Sequence, residues 1–371
     1  MIRSFLLLVI FQVSIFHAGY SQKNRKTSDT PSQPIQQETK ISRPKNIILM
    51  IGDGMGLTQI TAGMYANGGN TALSQFQSIG LVKTHSADNL ITDSAAGATA
   101  MSTGVKTYNK AIAVDVNGKP ILTLAEMAEE KGMMTALIAT SEITDATPAC
   151  FYAHQPKRSM EYEIAADALK LDVDIYAGGG AKFFENRPDG RNIFNELAEK
   201  GYTVANTIEE ADMAKTKFVY LPAQEGMPKM SEGRGDFLAR MTKKMFKQFY
   251  NAPKGFFALI EGSQIDWGGH ANDSQYIINE MIDFNSVIDM VISYAKQDGN
   301  TLVIVTADHE TGGYGLIEGD LNGNNVGGKF IWGNHTATMV PVFAYGPGEE
   351  NFRGIMENTD IFKNIVKSIG W

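Results

Sequence analysis

Five short strings join hard oxygen ligands or imidazoles to small residues: IGDGMG around Asp53, TDSAAGATA around Ser94, TDATPA around Asp145, EGSQIDWGGH from Glu261 to His270, and TADHETGG around Asp308 and His309. The glycines and alanines let a backbone or an ion approach closely. A late, isolated His335 follows in GNHTATMVP. Together they offer carboxylates and imidazoles for a multi-metal centre and one hydroxyl, that of Ser94, as a nucleophile. Such a set implies hydrolysis of a charged ester.

Each string has a plainer reading when taken alone. IGDGMG carries Gly52, Gly54 and Gly56 after an apolar run, a partial match to a dinucleotide fingerprint, but Leu57 stands where the next glycine is required. A metal ligand on a tight turn suits Asp53 better than a carboxylate facing a pyrophosphate, although a strand-end Asp also serves as a helix cap. In EGSQIDWGGH, a helical turn at Asp266 would put His270 four residues on, on the same face, so that both reach one ion. The same pair is otherwise a capping Asp beside an unrelated His. Ser94 opens a small-residue helical segment, where free N–H groups favour an oxyanion and where an isolated Ser would be an N-cap. The company of ligand strings changes that balance, because metal coordination activates a hydroxyl without an adjacent base. His85 and His154 have no such neighbours and read as structural. Cys150, the one cysteine, reads as a small buried hydrophobe and excludes an intrachain disulfide.

These strings sit between apolar runs and helical patterns. Strands are expected at Asn46–Ile51, Ile79–Lys83, Thr135–Ala139, Phe256–Ile260, Thr301–Thr306 and Val340–Ala344. Helices are expected at Thr123–Lys131, Met160–Leu171, Phe237–Phe249 and Ser274–Tyr294. Continuous apolar strands separated by helices imply an α/β fold, a mostly parallel central sheet with helices on both faces. Ligands of such sheets gather beyond the strands' carboxyl ends, where Asp53, Glu261 and Asp308 all fall. The stretch 172–234 is less regular; it is expected to add peripheral strands and helices and shows no chemistry.

Residues 1–21 read as a secretory signal: Arg3, an apolar run from Phe5 to Phe16, then Ala18, Gly19 and Ser21. No Cys follows for a lipid anchor, and no later run suggests a transmembrane anchor. The polar stretch 22–44 reads as a flexible linker, leaving 45–371 as the catalytic domain, exported to the periplasm or beyond. The formal charge of −8 and pI near 5.4 argue against a nucleic-acid surface. They do not exclude an anionic substrate, because bound cations reverse the local sign.

The strings TDSAAGATAMSTGVKTYN, TDATPA with the downstream Arg158, EGSQIDWGGH and TADHETGG closely resemble the alkaline phosphatase family over residues 45–371. That resemblance implies the family's three-layer sandwich, and hydrolysis of small phosphate monoesters through a phosphoserine intermediate at two zinc ions and one magnesium. By it, Asp266, His270 and His335 are ligands of one zinc. Asp53, Asp308, His309 and Ser94 form the second zinc site, with Asp53 bridging to magnesium. Thr147 and Glu261 are magnesium ligands, and Asp145 orients magnesium-bound water. Arg158 grips the phosphate and Asp93 orients Arg158. Trp267 stands where enteric relatives carry Lys and animal ones His, a position that reaches the phosphate environment through water. The enteric disulfides have no counterpart, and the stretch from Gly313 to His335 is too short for the animal surface insertion. A homodimer is also implied.

Six carboxylates (Asp53, Asp93, Asp145, Glu261, Asp266, Asp308) against Arg158 leave the bare cluster at a formal −5, which repels a phosphate dianion. Two zinc ions and one magnesium turn it to +1, so the site makes sense filled with cations. A phosphodiesterase or sulfatase relative and a non-catalytic phosphate or metal scavenger share these residues. A nicotinamide-binding oxidoreductase rests only on the incomplete glycine pattern. Arg158 favours a monoester, whose free oxygens match its planar fork.

Overall fold

Continuous apolar runs leave no side for solvent, and they become the middle of the sheet. In the computed structural model, which describes residues 43–371, the strands are β1 (Asn46–Gly52), β2 (Ser78–Lys83), β3 (Met134–Glu142), β4 (Ile175–Gly179), β5 (Thr203–Ala205), β6 (Phe218–Ala223), β7 (Phe256–Gly262), β8 (Thr301–Thr306), β9 (Glu310–Thr311), β10 (Gly315–Glu318), β11 (Gly327–Lys329), β12 (His335–Thr336), β13 (Val340–Tyr345) and β14 (Gly354–Glu357). The expected export signal, and all but the last two residues of the expected linker, lie outside the described residues.

Ten strands form one sheet in the order β14-β2-β13-β8-β1-β7-β3-β4-β6-β5. Every neighbouring pair is parallel except those made by β13, which runs against both β2 and β8. Helices cover both faces, the α/β architecture expected from the apolar runs. Burial follows the sequence pattern: β1, β7 and β8 are buried throughout, whereas β2, one place from the edge, alternates and leaves Ile79 half exposed.

Helix limits follow capping chemistry. Thr123 and Glu126 form a capping box ahead of the Leu124–Glu130 helix. The Ser274–Asp298 helix outlasts the expected Tyr294, since no breaker intervenes before Gly299 at φ 70. The Glu161–Asp167 helix is shorter than the expected Met160–Leu171. Beyond it the backbone tightens, with Leu169 N–H donating to Ala166 and Lys170 N–H to Asp167. Cys150 is buried and free, and burial pushes its thiol up to about 12.

The irregular stretch 172–234 adds outer strands, as expected. It supplies β4, β5 and β6, a whole arm of the sheet, with β4 directly on β3. Buried Arg234 then pairs with Glu280 and Asp283, tying this stretch to the Ser274–Asp298 helix.

Candidate metal centre

The four strands β8, β1, β7 and β3 are consecutive in the sheet, so the residues at their carboxyl ends meet at one place. Asp53 follows β1, Glu261 lies near the end of β7, Asp308 and His309 follow β8, and Asp145 and Thr147 follow β3. The reversed direction of β13 does the rest. Its entry lies at this same end, which brings His335 on β12 back to the others. Asp266 and His270 come from the Gln264–His270 helix after β7, four residues apart, with His270 Nε2 3.3 Å from Asp266 Oδ2.

Two ligand clusters result, joined by His309. In one, the donor atoms of Asp53, Asp308 and His309 all lie within 4.8 Å of one another, and so do those of Asp266, His309 and His335 in the other. His309 Nε2 is 3.4 Å from Asp53 Oδ1 and 3.2 Å from Asp308 Oδ2, and Ser94 Oγ lies 3.2 Å from the same nitrogen. On the other side His270 Nε2 is 3.1 Å from His335 Nε2.

The rings are oriented from outside. His270 Nδ1–H donates to the Gly333 carbonyl at 2.9 Å and His335 Nδ1–H to the Thr92 carbonyl at 2.9 Å. Thr311 Oγ1 donates to Asp266 and accepts from His309 Nδ1–H at 3.2 Å. Each ring thus turns its Nε2 inward, the atom through which it would bind a metal. The Nε2 atoms of His270 and His335, 3.1 Å apart, need a proton or a cation between them. The orphaned oxygens point the same way: Asp53 Oδ1, Asp308 Oδ2, Glu261 Oε1 and Thr147 Oγ1 are buried without a hydrogen-bond donor or acceptor.

Electrostatics agrees with this geometry. Burial and the neighbouring Asp308 hold the Asp53 carboxyl well above its usual range, and burial with Asp145 does the same for Glu261. Burial and Asp266 push Asp308 up to about 7. Burial also opposes ionisation of Asp266, but its hydrogen bond to His270 prevails and holds it below the usual carboxylate range. The same bond lifts His270 to about 9. Burial and the adjacent His335 keep His309 neutral. Mixed nitrogen and oxygen donors suit zinc, while the oxygen-only group of Asp53, Glu261 and Thr147 suits magnesium. The residues fit those ions.

Ser94 is the first residue of the Ser94–Thr103 helix, and its cap is Asp93, which accepts from Ala96 N–H at 3.0 Å. Asp93 and not Ser94 is therefore the N-cap, and the Ser94 hydroxyl faces the site instead. Arg158 places Nη1 3.5 Å from Ser94 Oγ and 3.4 Å from Asp93, but its shorter bond, 2.7 Å from Nη2, is to Asp145. Trp267 is half buried, with its ring against Gly226, where an added Cβ would lie 2.3 Å from the indole edge and 3.4 Å from a Glu142 oxygen. The stretch 172–234, which showed no chemistry in sequence, therefore walls in Trp267. The carbonyls and hydroxyl that aim the histidines were also missed. TADHETGG contains Thr311, but nothing in the string says that its side chain turns back onto Asp266.

Gly54 is held at φ +68, and an added Cβ would sit 2.8 Å from the Asp266 Cα. Gly54→Ala is expected to cost about 1–2 kcal/mol from the left-handed backbone alone. It should also displace Asp266, lowering both melting temperature and bound zinc. Normal zinc content by elemental analysis would contradict this.

The family model described as alkaline phosphatase matches residues 44–332. Alkaline phosphatase 3 of Bacillus subtilis is 34% identical, over 92% of this chain and 93% of its own length. The structure of alkaline phosphatase from the Antarctic bacterium TAB5 superposes with a TM-score of 0.85 at 44% identity, covering 90% of this chain and 99% of that one. A variant of the Antarctic enzyme, with the same identity, coverage and TM-score, holds magnesium in its M3 site.

Proposed function

This chain belongs to the alkaline phosphatase family and is a phosphomonoester hydrolase, and from that premise we propose that Ser94 is its nucleophile, working through a phosphoserine intermediate at a site of two zinc ions and one magnesium. Asp266, His270 and His335 would hold one zinc, and Asp53, Asp308, His309 and Ser94 the other. Asp53, Glu261 and Thr147 would hold magnesium, with Asp145 orienting its water. When bound, these cations lower the pKa of hydroxyls and neutralise charge developing on the phosphoryl oxygens and the departing alcohol.

The protein's own groups then have definite tasks. Ser94 Oγ forms a bond to phosphorus as the bond to the alcohol oxygen breaks, and the alcohol leaves with a proton. Water next breaks the Ser94–phosphorus bond, which returns the hydroxyl and releases inorganic phosphate. Arg158 grips two non-bridging oxygens through its planar fork, letting go of Asp145 to do so. Asp93 caps the helix that carries Ser94 and steadies the fork. Trp267 borders the phosphate environment without the cation that a lysine would bring.

One observation carries this reading: the Ser94 hydroxyl, at a helix N-terminus, lies 3.2 Å from His309 Nε2 and 3.5 Å from Arg158 Nη1. Relative rates on an aryl monoester and its diester test it. The monoester is expected to be strongly preferred; equal or faster diester cleavage would assign the fold to other chemistry.

The same reading takes 1–21 as an export signal, 22–44 as a linker, 45–371 as the catalytic domain and the assembly as a homodimer. Among the described residues no helix is long and apolar enough to cross a membrane.

A further inference from the structure

Among the described residues, four non-glycine residues have positive φ, and two of them, Lys110 (φ 78) and Ala113 (φ 42), lie in one short segment. Both direct their carbonyls at the loop that ends in Arg158. Lys110 O accepts Arg158 N–H at 2.7 Å, and Ala113 O accepts His154 Nδ1–H at 2.8 Å. Between them Ile112 and Gln155 exchange both backbone hydrogen bonds, at 2.9 and 3.0 Å. The other side of the segment is fixed to the Ser94–Thr103 helix. Thr99 Oγ1 donates to Ala111 O at 3.1 Å and accepts from Ala113 N–H at 3.0 Å, and Lys110 N–H donates to Asp93 at 2.9 Å. The segment is a bracket between nucleophile helix and arginine loop. Backbone strain of this kind persists only where the surroundings over-determine it.

His154 closes the bracket. Its Nε2 lies 2.9 Å from Glu126 Oε1 while its Nδ1 meets the Ala113 carbonyl. Both partners are acceptors, so both bonds are made only when both ring nitrogens carry hydrogen. The second Glu126 oxygen accepts Thr123 N–H at 2.8 Å, and Thr123 Oγ1 donates to Phe151 O at 2.7 Å. One helix terminus therefore grips the loop at Phe151 and again at His154.

We propose that His154, as an imidazolium clamped between Glu126 and Ala113, is a positioning residue for Arg158, holding the guanidinium at its distance from Ser94. The proposal rests on the reading of Arg158 as the phosphate grip. The charged groups that meet His154 are Glu126 and Asp167; the latter accepts His154 N–H at 3.0 Å and pairs with Lys170 at 2.6 Å. The neighbouring segment contributes the Ala113 carbonyl. Burial alone would lower the proton affinity of the ring, but Glu126 and Ala113 outweigh it and hold it above the ordinary 6.5. The clamp is thus complete below that ordinary value and is lost as pH rises through the elevated one.

The test measures inorganic phosphate affinity and aryl phosphate turnover in the enzyme as isolated, in H154Q and in R158A, from about pH 6 to about pH 10. Near neutrality H154Q is expected to weaken phosphate binding and raise KM by about tenfold, with kcat changed less. The gap should close at high pH, where the native ring is neutral too. Nitrogen-15 NMR of His154 should show both nitrogens protonated at pH values where a free histidine is neutral. H154Q binding phosphate like the native enzyme, while R158A does not, overturns the proposal and leaves Arg158 in its role. R158A binding phosphate normally overturns the reading of Arg158 itself. If H154Q does not fold, a neutral His154 ring at neutral pH in the native enzyme overturns the proposal.

Discussion

Replacing Ser94 with Ala is expected to lower turnover of an aryl phosphate by about 10³-fold or more, since no second group can form the covalent intermediate. Folding should be nearly untouched. Asp93, not Ser94, caps the helix, the next residues are Ala95 and Ala96, and alanine is the best helix former. The hydroxyl makes only long contacts, 3.2 Å to His309 and 3.5 Å to Arg158. Phosphate binding should survive in the variant, because the grip is assigned to Arg158. Steady-state kinetics, phosphate titration and a melting curve separate the three quantities. Near-native turnover in S94A would remove the nucleophile from the mechanism, while loss of turnover together with a large fall in melting temperature would make the effect structural.

How much of this was legible beforehand depended on whether the signal was local. β1, β7 and β8 are buried on both faces, so each reads as an uninterrupted apolar run and is found at once. The ligands on the turns after them inherit that clarity. Asp266 and His270 were visible as a pair because four residues is the repeat of one helical face. β5, of three residues, and β9 to β12, of two to four, are too short to show any period and were not found. Contacts between distant segments left no trace. His335 finds Thr92 O and His270 finds Gly333 O through backbone carbonyls, and a carbonyl has no residue-specific signature. Gly226 is unremarkable in sequence until the Trp267 ring lies against it. His154 read as structural because its partners, Glu126 and Ala113, are 28 and 41 positions away.

Chelation is expected to abolish turnover and to lower the melting temperature, and zinc with magnesium should restore both. The stability part follows from burial. Asp53, Asp308 and Glu261 are almost wholly buried, each with an oxygen that nothing in the protein satisfies, and an uncompensated buried charge is costly. A cation that binds only the folded state, at a free concentration a hundred times its Kd, adds about 2.7 kcal/mol for each site. Magnesium alone should restore little turnover, because the imidazoles of His270, His309 and His335 suit zinc and not a hard ion that demands oxygen. Calorimetry across a metal titration, read beside released phosphate, distinguishes the outcomes. Turnover that persists after exhaustive chelation would take metals out of the reaction. A melting temperature indifferent to the ions would mean that protons, not cations, quiet the buried carboxylates, and Ser94 would then need another source of activation.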